Sequence, residues 1–284
     1  MKPSEINIRD PFVLIENGTY YLYGTRAENF GQNVGGFDVY TSADLKDFSA
    51  PRQCFDSEAA GFKGGVNWAP EVHKYKNKYY MLATFTQENG LRGVFSLVAS
   101  TPNGPFKRHS KKALTPTEWE CLDGTLYINK DGKPYLVFCH EHTQIEDGTI
   151  CYMPLNEDLS AGNGETVLIF KGSSPYFADK YTPGKHYITD GPFMFTTKGG
   201  DLLMMWSTFV NHKYTQCIAK SNNGNITGTF THLPPIITDD GGHGMIFKAE
   251  NKLFLTFHTP NQTGKERPAF YEITETPTGE IKLM

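Results

Sequence analysis

The amino-acid sequence predicts an all-β protein, a five-bladed β-propeller, and three observations carry that prediction. Helical periodicity is scarce, and short runs rich in β-branched and aromatic residues dominate. Five β-hairpins of one design recur along the chain. Each is followed, at a similar distance, by a third strand and another polar turn.

The hairpins read, in order, "FVLIENGTYYLYGT", "VHKYKNKYYMLATF", "TLYINKDGKPYLVF", "FMFTTKGGDLLMMW" and "MIFKAENKLFLTFH". Their turns are chemically apt: Asn17-Gly18, Lys76-Asn77-Lys78, Asp131-Gly132, Gly199-Gly200 and Glu250-Asn251. The third strands follow in "VYTSADLKDF", "LVASTPNGPF", "CYMPLNEDLS", "CIAKSNNGNI" and "FYEITETPTG". The units open near residues 10, 71, 123, 190 and 243, about 50 to 70 residues apart, which suits four strands each and therefore propeller blades. A β-sandwich would not require five matched hairpins. The whole chain, 1–284, is read as one catalytic propeller domain, and a large all-β domain of this length is ordinary.

The first strand of a blade lines the central channel, so its opening residue lies near the channel mouth. Those openings are Asp10 in "RDPF", Glu71 in "WAPEV", Asp123 in "LDGTL", Asp190 in "TDGPF" and His243 in "GGHGM", to within a residue or two. Taken singly, an aspartate before Pro or Gly is a turn former. Five independent turn formers would include Asn or Ser and would not share a strand position. Four acids and a histidine converging on one mouth point to a site.

The totals narrow the class. A net charge of −4 without a basic stripe leaves no footprint for nucleic acid, and no window reaches the apolar length of a membrane span. The start, MKPSEINIRDPFV, lacks the apolar core of a signal peptide. The expectation is a cytoplasmic protein, or a periplasmic or secreted one whose sequence begins after processing. Five cysteines with no CxxC pair (Cys54, Cys121, Cys139, Cys151, Cys217) read as buried reduced thiols.

Several carboxylates around one mouth suit glycoside hydrolysis. The inverting reaction places two carboxyl groups on opposite faces of a sugar, roughly 6.5–9.5 Å apart, one protonated and one ionised. A third carboxylate raises the acid's pKa by like-charge repulsion. Trp68, Trp119, Tyr187 and Phe193 are candidates for an apolar platform under a sugar ring.

At these residues the chain resembles family 43 of the glycoside hydrolases, the five-bladed propellers that include arabinofuranosidases, xylosidases and arabinanases. "RDPFVLIENGTYYLYGT" resembles that family's opening, which implies Asp10 as general base. "LDGTLYINKDGKPYLVF" resembles the motif whose aspartate tunes the acid, here Asp123. "WAPEV" resembles the family's Trp-Ala-Pro-acid motif, and Trp68 and Glu71 are expected at the substrate. "GGHGMIF" resembles the segment whose histidine, here His243, sits in the channel, often with a bound calcium or other ion. The resemblance spans residues 5 to about 273. It departs at Thr189-Asp190-Gly191-Pro192, where the family pattern reads Glu-Gly-Pro with Glu as general acid. Aspartate is one methylene shorter, about 1.5 Å of reach. The acid is therefore Asp190, Glu141 in "VFCHEHTQ", or Glu71.

"HEH" at 140–142 puts two histidines on one side of a strand but offers no further zinc ligand. The aspartates of "DDGGH" (239–243) read as turn residues. Arg267, in "ERP", is placed to bind sugar hydroxyls or hold a catalytic carboxylate. The expected activity is exo-acting hydrolysis of a terminal furanosyl or pentosyl residue from plant-polysaccharide oligosaccharides. The order implied by the resemblance is α-L-arabinofuranosidase, then β-xylosidase or galactofuranosidase, with no cofactor needed for the chemistry. The competing class is a catalytically inactive carbohydrate-binding propeller.

Overall fold

The computed structural model describes residues 1–28, 30–32, 34–181, 186–276 and 279–284. It is a five-bladed β-propeller in which each blade is a four-stranded antiparallel sheet built from consecutive strands. Blade 1 holds β1 (Ile8–Glu16), β2 (Thr19–Arg26), β3 (Gly36–Ser42) and β4 (Arg52–Asp56). Blade 2 holds β5 (Asn67–Tyr75), β6 (Lys78–Thr86), β7 (Arg92–Ala99) and β8 (Lys107–Arg108). Blade 3 holds β9 (Cys121–Ile128), β10 (Pro134–His140), β11 (Thr149–Pro154) and β12 (Val167–Lys171), with a one-turn helix α1 (His142–Ile145) after β10. Blade 4 holds β13 (Asp190–Thr196), β14 (Leu202–Val210), β15 (Lys213–Ser221) and β16 (Phe230–Ile237). Blade 5 holds β17 (Gly242–Ala249), β18 (Lys252–Thr259), β19 (Arg267–Glu275) and β20 (Ile281–Leu283).

The five expected hairpins are the first two strands of the five blades. Their turns carry positive φ where the chain must match strand twist: Asn17 at 51° with Gly18 at 76°, and Lys76 at 45° with Asn77 at 63°. Side chains that alternate along a strand feed different cores. In β14, Leu202, Met204 and Trp206 pack toward blade 3, whereas Leu203 and Met205 pack toward blade 5. The apolar cores thus lie between blades. All five cysteines are buried free thiols. Among the described residues no helix is long and apolar enough to cross a membrane.

One device that the sequence does not announce recurs in every blade. Each first strand carries a bulge, marked by a register shift against its neighbour. The residue at the bulge is left-handed in all five: Asp10 (φ 52°), Ala69 (46°), Asp123 (55°), Gly191 (52°) and His243 (51°). Such backbone is costly for non-glycine residues, and the freed N–H needs a partner. The preceding blade supplies it every time. Asp10 N donates to His258 Nδ1, Ala69 N to Thr25 Oγ1, Asp123 N to Thr84 Oγ1, Gly191 N to Asp123 Oδ2 and His243 N to Ser207 Oγ, at 2.7–3.1 Å. The bulges therefore align residues 10, 69, 123, 191 and 243. Glu71 lies two places past its bulge and Asp190 one place before.

The ring closes between blades 5 and 1 through side chains. Arg9 Nη1 reaches Glu266 Oε1 at 2.9 Å, with Glu266 fully buried. Asn7 Nδ2 donates to Glu266 O at 2.8 Å, and Phe270 stacks on Phe48 with ring centres 5.8 Å apart.

Candidate active site

The bulges turn Asp10, Asp123 and His243 toward one mouth, where they line a cleft of about 310 Å³ together with Asp190 and Glu141. Asp10 is held from three sides. Its Oδ2 accepts from Thr25 Oγ1 at 2.6 Å, its Oδ1 lies 3.0 Å from His243 Nδ1, and Arg9 Nε stands 4.0 Å away. Burial alone would raise its pKa. The positive charge and hydrogen bond of His243, then Arg9, overcome burial and hold the carboxyl well below the usual range.

His243 is the charge at the centre. Burial opposes its protonation, but Asp10 at 3.0 Å and Asp123 at 3.6 Å raise its pKa to about 10, so it is an imidazolium at neutral pH. His258 is the opposite case. Burial, then Arg9, lowers it to about 3, and its Nδ1 accepts the Asp10 N–H, so the neutral ring carries its proton on Nε2 toward Asn261 Oδ1.

The other two aspartates sit high. Burial comes first for both. Asp123 rises to about 6, with Asp10 and Glu141 adding repulsion and His243 opposing. Asp190 rises to about 8, pushed further by Asp123 and Glu141. It remains partly exposed to the cleft, and Tyr214 Oη donates to its Oδ2 at 3.0 Å. The mouth thus holds an ionised carboxylate and a protonated carboxyl facing one space, the pairing that acid–base hydrolysis requires.

Glu141 also lines the cleft but is fully engaged. Its Oε1 caps α1 by accepting from His142 N at 2.9 Å, and its Oε2 accepts from Arg92 Nη2 at 2.9 Å. Both oxygens already act as acceptors, the reverse of what a proton donor needs.

Trp68 lines the cleft as expected, and its Nε1 donates to Phe30 O. Arg92 lies 5.0 Å over the Trp68 ring and Arg9 4.5 Å over Phe30, so guanidinium groups brace this wall from both ends. Tyr181 and Phe209 form another wall, with ring centres 4.6 Å apart.

Several expectations need correction. Glu71 does not line the cleft; its Oε2 meets His73 Nε2 at 3.0 Å inside the channel, because the bulge at Ala69 shifts its direction. Arg267 is turned away: its Nε donates to Ser4 O at 2.9 Å and its Nη1 to Glu266 O at 2.8 Å, part of the ring closure. Trp119 stacks on His140, and Phe193 packs against Phe12 in the interior. Tyr187 is not among the cleft-lining residues either. His140 and His142 do not share a strand face, since β10 ends at His140 and α1 begins at His142.

The channel tests the fit of an ion beside His243. Beneath the cleft lies a cavity of about 10 Å³, bordered by His243, Glu71, Phe12 and Met245. That is roughly the space of one water. Calcium asks for six to eight oxygen ligands, and among the described residues no group of three or more His, Cys, Asp or Glu side chains could hold a metal. The His243 Nδ1 is already turned to Asp10. These residues do not supply a calcium shell, and no chemistry is assigned to an ion here.

Arg9, Arg92, Tyr214 and His258 were not anticipated. Thr25, Thr84, Ser207 and His258 share a place near the mouth end of their second strands, a repeat position that alignment of those strand ends could have revealed.

Fold and site together define the class: a carbohydrate-active propeller of the glycosidase type. The family model described as "Glycosyl hydrolases family 43" matches residues 4–277, and the chain belongs to that family. An endo-arabinase structure from Bacteroides thetaiotaomicron VPI-5482 is 35% identical, with TM-score 0.89 and 98% of each chain covered. A structure titled a thermostable family-43 glycoside hydrolase is 25% identical, with TM-score 0.83, covering 98% of this chain and 92% of that one. The extracellular endo-alpha-(1->5)-L-arabinanase 1 of Bacillus subtilis (strain 168) is 23% identical over 141 residues, 46% of this chain. That match spans 42% of the Bacillus protein.

Proposed function

We propose that the protein is an inverting, exo-acting glycosidase that removes terminal pentosyl residues from plant-polysaccharide oligosaccharides, α-L-arabinofuranosyl before β-xylosyl or galactofuranosyl. The observation that carries this reading is one cleft shared by ionised Asp10 and raised, partly exposed Asp190. In this reading Asp10 takes a proton from the water that attacks the anomeric carbon. Asp190 gives its proton to the glycosidic oxygen as that bond breaks, and no cofactor is needed. His243 and Arg9 keep the base charged inside a buried site.

The choice of arabinose draws on the relatives, two of which are titled as acting on arabinan. The exo mode draws on the cleft: about 310 Å³ is at the small end for a ligand site, room for roughly one or two sugar rings between aromatic walls. The 35% identical relative titled an endo-arabinase favours a second reading, internal cleavage. Linear arabinan separates them. Release of arabinose from chain ends, without intermediate oligosaccharides, is expected. A ladder of oligosaccharides would establish the endo mode. No turnover of arabinan, xylo-oligosaccharides or nitrophenyl glycosides would leave a binding propeller. First-formed product with retained anomeric configuration, by NMR, would exclude inversion.

Asp123 is assigned as the residue that keeps Asp190 protonated. Its charge raises the acid, so Asp123→Asn should lower that pKa. Because the active form of an acid is lost as pH rises through its pKa, the alkaline limb of the pH–rate profile should move down from about pH 8. An unmoved limb would count against this role.

A further inference from the structure

The hydroxyl of Tyr214 reaches Asp190 from a strand that neither the base nor the acid occupies. Tyr214 lies at the start of β15, and its ring is 1% exposed. Three contacts pin it. Its N–H donates to Asp240 Oδ1 at 3.4 Å, its carbonyl accepts from Gly241 N at 2.9 Å, and its ring stacks on His258 at 5.5 Å and 20°. A Cβ at Gly242 would come within 2.6 Å of the Tyr214 ring, so only a glycine there lets the ring lie where it does. His258 in turn accepts the backbone N–H of Asp10 at 3.1 Å. A continuous run of rigid groups therefore joins the backbone of Asp10 to the carboxyl of Asp190: His258, Tyr214, then the hydroxyl contact at 3.0 Å.

We propose that Tyr214 is a positioning residue for the acid, fixing which oxygen of Asp190 carries the transferable proton and how that oxygen is presented relative to Asp10. The proposal rests on the reading of Asp190 as general acid. A phenol that donates to Oδ2 makes Oδ2 the carbonyl oxygen of the protonated carboxyl and leaves the proton on Oδ1. In the reaction the Oδ1–H bond breaks as a bond from that hydrogen to the glycosidic oxygen forms. The electron pair of the broken glycosidic bond stays on that oxygen. Asp190 becomes a carboxylate, and the bond from Tyr214 strengthens because its acceptor is now charged. That gain belongs to the transition state and not to bound substrate, so it contributes to rate. Burial, with Asp190 next, holds the phenol pKa well above its ordinary value, so Tyr214 remains the donor throughout. The other charged groups facing Asp190 are Asp123 from β9, Glu141 before α1 and His243 from β17; Asp10 and Arg9 from β1 face the phenol.

Tyr214→Phe keeps the ring, its stack on His258 and its fit against Gly242, and its melting temperature should match that of the parent. Hydrolysis of arabino-oligosaccharides should fall about tenfold, the scale of one charge-assisted hydrogen bond. A nitrophenyl arabinoside, whose leaving group needs little protonation, should lose much less. The alkaline limb should move upward, since a donor to the ionised form is gone. Equal losses on both substrates with an unmoved limb would mean a packing role only and would overturn the proposal. Asp190→Ala separates the two levels. If that variant hydrolyses oligosaccharides normally, the acid assignment falls and this proposal falls with it. If it loses them while Tyr214→Phe keeps the parent's substrate ratio and limb, this proposal alone fails.

Discussion

Asp190→Ala is expected to lose most activity on arabino-oligosaccharides, roughly 10²–10⁴-fold, while keeping a much larger fraction on a nitrophenyl arabinoside. A sugar alkoxide is a poor leaving group and depends on proton donation, whereas a nitrophenolate departs largely unaided. The geometry favours Asp190 for this role because its carboxyl is raised and partly exposed to the cleft. Glu141 supplies the control. Its carboxylate serves Arg92 and the helix that starts at His142, so Glu141→Ala should loosen that wall and affect both substrates alike. Parallel assays of the two variants decide the matter. If the substrate split appears in Glu141→Ala and not in Asp190→Ala, the acid role passes to Glu141.

Asp10→Asn should cost about as much, roughly 10²–10⁴-fold, but uniformly across leaving groups, because water must still be deprotonated whatever departs. The amide is nearly the same size and can still accept from Thr25 Oγ1, so sugar binding by calorimetry should persist. The loss has a second source. His243 is an imidazolium because Asp10 is a carboxylate 3.0 Å away, and a neutral amide there withdraws the main support for that charge. With less positive charge at the centre, Asp190 should hold its proton to higher pH, and the residual profile should extend upward. Substantial turnover in Asp10→Asn, on either substrate, would remove Asp10 from the role of base.

The blades were legible because their hairpin turns are written in local chemistry. Asn17-Gly18 takes two positive φ angles in succession, and few other pairs would. Asp10, Asp123 and His243 were legible because they recur at the same step of the repeat, with Asp190 one place before it. The bulges were not. Only a Pro or Gly after each left-handed residue marks them (Pro11, Pro70, Gly124, Pro192, Gly244), and those same residues read equally well as turns. Missing the bulge at Ala69 is what sent Glu71 to the substrate instead of the channel, since an extra residue resets the alternation of the strand beyond it. Arg267 was misplaced for a different reason: its place in the last blade says nothing about which way a guanidinium turns. Tyr214 and His258 left no local signal, because their roles exist only where strands from blades 4 and 5 meet.

The closure of the ring has a consequence for how the enzyme fails. In each blade the chain proceeds strand by strand outward, so no strand is exchanged between blade 5 and blade 1 to weld the circle. Asp10, the proposed base, stands on one side of that joint, and its imidazolium partner and its backbone acceptor, His243 and His258, stand on the other. Arg9, which supports His243 in holding Asp10 ionised, is itself anchored across the joint on Glu266. Parting the two blades by even a small gap would therefore disarm the base while every sheet stayed folded. If Asp10 is the base, as proposed, catalytic competence would depend on the joint as much as on the blades, and a sugar held between Asp10 and Asp190 would tie blades 1 and 4 across it. Substrate would then act as a clasp, and ligand binding should stabilise the joint by mass action.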